Sequence, residues 1–271
     1  MKKILKGVLP HKKKTIEEFT AFISEDLSVG NETSINRIAS SEGVEIHYDD
    51  YGDHFDGMII RDGDTFHIHA NEAKGNYEGS KRSRFTISHE LGHFFLEEHR
   101  EAMKADNYSP HASNFSLNHE NLIEKEADYF AACLLMPKTK FREFTGGREF
   151  SFNIIKEVSD SFNVSVHSAI RRFIEIGTHE IFVVFSRDNK VLFYDKSEDF
   201  LKLPFKFKVG ASLPKHTVAF EYFNEDRKYS EKEQIYADCW FTPKYPVDRR
   251  MFEQCLYSDS YGFAMSVIWF E

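Results

Sequence analysis

The segment His89-Glu90-Leu91-Gly92-His93 constrains this chain more than any other. Histidines four residues apart lie about 40° from each other around an α-helix, so both imidazoles project from one face. At that separation two ring nitrogens can grip one Zn2+, and Glu90, about 100° round the axis, can reach a water on the ion. The surrounding residues favour such a helix. Phe85, Ile87, Leu91, Phe94, Phe95 and Leu96 lay an apolar stripe along residues 83–99.

A hydrolytic zinc site takes three protein ligands and leaves a fourth position to water. The third ligand is expected from a second helix, over 119–136, which stops before Pro137. Glu124 and Asp128 stand one turn apart on it. Glu124 is thus placed to reach the ion, and Asp128 to accept the other ring N–H of a ligating histidine. Glu126 competes for the first role, but it lies about 200° round from Glu124 and has no acid four residues on. Cys133 is expected to face away from the ion as a small core residue.

Around these helices the pattern is mixed. Residues 15–26 and 32–42 read as helices, 44–51, 57–63 and 64–71 as strands, and 100–117 as a loop. Residues 151–177 read as helix, tight turn and helix, ending at Gly177. From 178 onward the alternation is that of strands: 181–186, 190–195, 205–210, 216–223, 235–241 and 263–270. The expected class is α+β. A basic tail (1–14) precedes a metal-binding domain (15–150), a helix-turn-helix-like segment (151–177) and a β-rich C-terminal domain (178–271). The strand over 64–71 could line a cleft and pair with an extended substrate. Its His67 and His69 share one face, which reads as solvated. In the helix-turn-helix-like segment Arg171 and Arg172 could touch phosphate, although packing against the neighbouring helices is the favoured reading.

Composition narrows the function classes. The chain has 271 residues, 41% hydrophobic and 29% charged, with 14 Gly and 7 Pro, enough to bury a core and unlike a low-complexity chain. No apolar run reaches the roughly 18–20 residues of a membrane helix. Cys133, Cys239 and Cys255 have no CxxC spacing, which argues against a disulfide framework and for a reducing cytoplasm. Net charge is −9 although the first fourteen residues hold six lysines and no acid. So acidic a body disfavours direct nucleic-acid binding as the primary role.

Together, RFTISHELGHFFL and EKEADYFAACLLMP resemble the ImmA/IrrE peptidases, zinc-dependent enzymes of the gluzincin kind, across roughly residues 30–177. The resemblance implies a zincin-like fold with one Zn2+ per chain. It implies His89, His93 and Glu124 as ligands and Glu90 as catalytic acid/base. Asp128 stands where many relatives carry Asn. The resemblance further implies a cytoplasmic stress-response or mobile-element protein that cleaves a helix-turn-helix repressor or an antitoxin-like partner. Residues 178–271 could then serve as a sensor or partner-binding domain. A tetrahedral oxyanion needs a donor beside the metal, and His111, His119 and Tyr108 are the candidates. Two other readings compete: a metal-containing DNA-binding or sensory regulator without hydrolysis, and the toxin of a toxin–antitoxin pair.

Overall fold

The computed structural model describes residues 8–104, 111–114, 121–222, 229–258 and 262–271. It is α+β and divides into two compact units: residues 1–144 with 156–169, and residues 145–155 with 170–271. Among the described residues, no helix is long and apolar enough to cross a membrane.

The first unit opens with α1 (Pro10–Glu25), a hairpin of β1 (Ser28–Val29) and β2 (Glu32–Thr33), and α2 (Ile35–Ser41). Strands β3 (Val44–Asp49), β4 (Gly57–Asp62) and β5 (Thr65–Asn71) follow, then α3 (Lys81–Phe95), α4 (Glu97–Lys104), β6 (His111–Ser113), α5 (Leu122–Leu135) and α6 (Lys138–Thr145). The sheet order is β3-β5-β4-β6, with β3 parallel to β5 and the other pairs antiparallel. Its strands alternate. Phe66, Ile68 and Ala70 are buried on one face of β5, while Thr65, His67 and His69 point the other way. Phe66 meets Phe94 of α3 at 5.1 Å, so the buried face of the sheet packs on that helix. Phe19 of α1, Phe95 of α3 and Phe130 of α5 close the layer, with Phe95 and Phe130 stacked at 5.7 Å.

Several local expectations change. The first helix begins at Pro10, not Thr15, because proline at its first position needs no hydrogen-bond partner; Lys12, Lys13 and Lys14 are therefore helical. The helix expected over 83–99 breaks at Leu96, whose backbone is extended, and α4 continues in a new direction. Residues 100–104 and 111–113, expected to be loop, are helix and strand. β5 is not an edge strand. Both its neighbours fill its ladder, so the strand over 64–71 has no backbone left for an extended substrate.

Helices α7 (Phe152–Ser161) and α8 (Val166–Ile176) are divided between the units, and the second unit continues with β7 (Ile181–Arg187) and β8 (Lys190–Lys196). It is completed by α9 (Val218–Tyr222), β9 (Glu233–Ile235), β10 (Met251–Ser258) and β11 (Phe263–Phe270). The antiparallel sheet runs β8-β7-β11-β10-β9. Phe182, Phe200, Phe207, Trp240, Phe241 and Ile268 are among the side chains of its core. Residues 205–210 form no extended strand, 218–222 is a helix, and 251–258 is a strand that the alternation conceals.

Buried Glu253 on β10 explains the last two differences. Its carboxylate accepts from the backbone N–H groups of Val218 and Ala219 (3.0 and 2.9 Å), so it caps α9 across the fold. Trp240 Nε1–H and the Ser266 hydroxyl donate to it as well, each at 2.9 Å. Burial pushes this carboxyl above its usual range against the opposing pull of the four donors. In the helix-turn-helix-like segment, Arg172 is buried and its Nη1 donates to Glu175 at 2.6 Å, so it is not presented to phosphate.

Candidate metal centre

Ser80 caps α3 by accepting from the Ser83 N–H (3.0 Å), and Asn121 caps α5 by accepting from the Ile123 N–H (3.1 Å). The caps set where each helix starts, placing His89 and His93 on one turn of α3 and Glu124 in the first turn of α5. Gly92 lets the helices close. A Cβ there would stand 3.1 Å from Ala127 Cα and 3.2 Å from Phe130 Cβ.

The three side chains converge. His89 Nε2 and His93 Nε2 lie 3.1 Å apart, with carboxylate oxygens of Glu124 at 3.3 and 3.6 Å from them. All three residues are buried. Ligands bonded at ~2.0–2.1 Å in a tetrahedron stand ~3.3–3.4 Å apart, so two imidazoles and a carboxylate at these spacings fit a zinc-sized ion. Charge fits too. Burial opposes protonation of His89, but hydrogen bonds to Asp128 and Glu124 and the charge of Glu90 outweigh it and lift its pKa to about 10. The site is built to hold a cation.

Each histidine is oriented from behind. A carboxylate can only accept, so His89 Nδ1–H donates to Asp128 Oδ1 at 2.9 Å, which leaves Nε2 as the ring atom facing Glu124. The partner of His93 was hidden in the sequence. The break at Leu96 swings α4 back, bringing His99 Nδ1 to 3.2 Å from His93 Nδ1. His99 Nε2–H donates to Glu126 Oε2 at 3.2 Å, so His99 Nδ1 accepts from His93 and leaves the lone pair of His93 Nε2 facing Glu124. Burial holds His99 below its ordinary pKa despite Glu126, which keeps it a neutral acceptor. Glu126 is buried, turned away from Glu124 as its helical position requires, and paired with Lys12 of α1 at 2.8 Å. Lys12 also contacts Glu98.

Glu90 is fully buried beside this triad, over Gly57 of β4. A Cβ at Gly57 would come within 2.4 Å of Thr86 Cγ2 and 2.9 Å of Glu90 Oε1. Gly57→Ala is therefore expected to displace both side chains and cost about 1–3 kcal/mol, read as a lowered denaturant midpoint at unchanged slope. A wild-type midpoint would mean that both side chains relax freely.

Two other residues of the sequence pattern hold the scaffold. Arg84 ties α3 to β2 through the Thr33 carbonyl (3.0 Å) and Glu32 (2.9 Å), and reaches the Asn163 carbonyl at 3.0 Å. The Thr86 hydroxyl donates to Asn76 Oδ1 at 2.8 Å. Cys133 is buried in α5, as a core residue should be. Tyr108 and His119 lie outside the described residues. The backbone of His111 is in β6, opposite Ile59.

Residues 75–173 match the IrrE N-terminal-like domain family, Peptidase M78. Among solved structures, the chain is similar to a Mycobacterium tuberculosis transcriptional regulator, with a TM-score of 0.63 and 13% identity over 97% of this chain and 77% of that one. That identity supports a shared fold alone. No curated protein matches significantly.

Proposed function

We propose, from the match of residues 75–173 to the IrrE N-terminal-like domain family, that the protein is a zinc-dependent endopeptidase with Glu90 as its acid/base. The observation that carries this reading is the convergence of His89, His93 and Glu124 within 3.1–3.6 Å beside a buried carboxylate. His89, His93 and Glu124 would hold the ion. Zinc at such a site acidifies a water and polarises a peptide carbonyl.

The chain's own groups do the rest. Glu90 accepts the proton of the attacking water and returns it to the departing amine. Asp128 and His99 keep one nitrogen of each histidine engaged, so that the other stays aimed at the site. With β5 enclosed, β6, an edge strand among the described residues, offers a place for an extended peptide to add to the sheet; it pairs with β4 at Gly57, the residue beneath Glu90. The substrate class that suits this reading is a helix-turn-helix repressor or antitoxin-like protein in the cytoplasm, where the three cysteines would stay reduced.

The test is a survey of newly exposed protein N-termini in cells producing the chain. Specific new termini should appear, vanish on zinc chelation and return with zinc. Termini indifferent to zinc would remove the assignment. One other reading draws on the similarity to a transcriptional regulator, that of a sensory regulator that hydrolyses nothing; under it, no new terminus forms.

His99 yields a further expectation. Replacing it by Phe keeps an aromatic ring but removes the acceptor for His93, and loss of such an outer partner weakens metal binding about 10–100-fold. Zinc competition against a chromophoric chelator reads this. Wild-type affinity in the variant would show that His93 needs no such support.

A further inference from the structure

On the solvent face of the first unit's sheet, we infer a second metal site, built from Glu45, His47 and His67 and suited to a first-row divalent ion such as Zn2+, Ni2+ or Cu2+. This goes beyond the peptidase reading and does not depend on it. β3 and β5 run parallel with Glu45 opposite His67 and His47 opposite His69, so the four side chains share one face. The opposite face of β5 carries Phe66 against Phe94 of α3. The sheet therefore separates this cluster from the buried centre.

Geometry is the first support. Glu45 Oε2, His47 Nε2 and His67 Nδ1 form a triangle with all three edges at 3.4 Å. That matches the ~3.3–3.4 Å between ligands bonded at ~2.0–2.1 Å around a tetrahedral ion. Two nitrogens and one carboxylate select borderline ions over Mg2+ or Ca2+, which prefer an all-oxygen shell.

The hydrogen bonds behind the cluster are the second support. Thr65 Oγ1 donates its only proton to the Asp62 carbonyl at 2.7 Å. It must therefore accept from His67 Nε2–H, 3.1 Å away. The His67 tautomer is fixed by this chain, and Nδ1 carries the lone pair into the triangle. Behind His47 stands His69, its ring stacked at 5.1 Å and its Nδ1 held at 2.7 Å by the Tyr51 hydroxyl. A merely solvated row of histidines would need neither device. The His47 and Glu45 side chains are 45% and 67% exposed, so the ion would exchange readily and keep open positions for water.

Equilibrium dialysis of the full chain, stripped of metal and titrated with Zn2+, tests this. Wild type should take up two ions, in a tight and a weaker step. A His47→Asn, His67→Asn double variant should lose the weaker step alone, and Glu124→Gln the tighter one alone. Thr65→Val removes only the hydroxyl behind His67 and should weaken the second step about 10–100-fold. The inference falls if wild type saturates at one ion up to about millimolar zinc. It also falls if the weaker step survives the double variant, or if Thr65→Val leaves it unchanged, which would mark a loose surface association. Because Glu124→Gln reports on the buried centre by itself, failure of one site is distinguishable from failure of the other.

Discussion

Under the peptidase reading, Glu90→Gln should leave metal content unchanged and abolish hydrolysis. The substitution is nearly isosteric at a fully buried position, and Glu90 stands outside the converging triad, so metal content should stay at the wild-type level. The amide cannot take a proton from water, and loss of a general base typically lowers the rate about 10²–10⁴-fold. Cleavage of an identified substrate, measured beside metal content by elemental analysis, gives both quantities. Undiminished turnover would mean that another group carries the proton. Loss of zinc in parallel would make Glu90 part of the metal's grip, and the division of labour on α3 would have to be redrawn.

The second large effect concerns stability rather than chemistry. Glu253→Ala should destabilise the second unit by about 4 kcal/mol, because it strands fixed donors. The N–H groups of Val218 and Ala219 and the Trp240 indole all lose their acceptor inside the fold, and each orphaned buried donor costs about 1–3 kcal/mol. The Ser266 hydroxyl can turn elsewhere. For a unit of this size about 4 °C is lost per kcal/mol, so its melting transition should fall by roughly 15 °C. Glu253→Gln keeps one acceptor oxygen and turns an amide toward the remaining donors, so its loss should be smaller. Calorimetry of the full chain reads both. An alanine variant melting with wild type would show that the carboxylate is replaceable by water.

What the sequence disclosed, and what it withheld, follows from the range of the interactions involved. His89, His93, Glu124 and Asp128 are related by helical spacing, a local property, and the two helices bring them together as that spacing requires. Gly92 reads as a spacer, yet its missing side chain is what admits Ala127 and Phe130. His99 stayed hidden because nothing in FFLEEH marks a helix break; only its meeting with His93 and Glu126 gives the turn a purpose. The angle between Glu126 and Glu124 is a matter of helical spacing alone. The burial of Glu126 against Lys12 depends on a residue far away in the chain. The same holds for HTVAFEYF, whose strand-like alternation gives way to a helix because a distant carboxylate caps it. MFEQCLYS conceals its strand for the converse reason, carrying an acid inward.

Through Glu126 and His99, the first turn of α1 fastens the rear of His93, so the grip on the ion extends to the extreme amino end of the described chain. Trimming past Lys12 would remove that fastening and leave Glu126 without its ammonium partner.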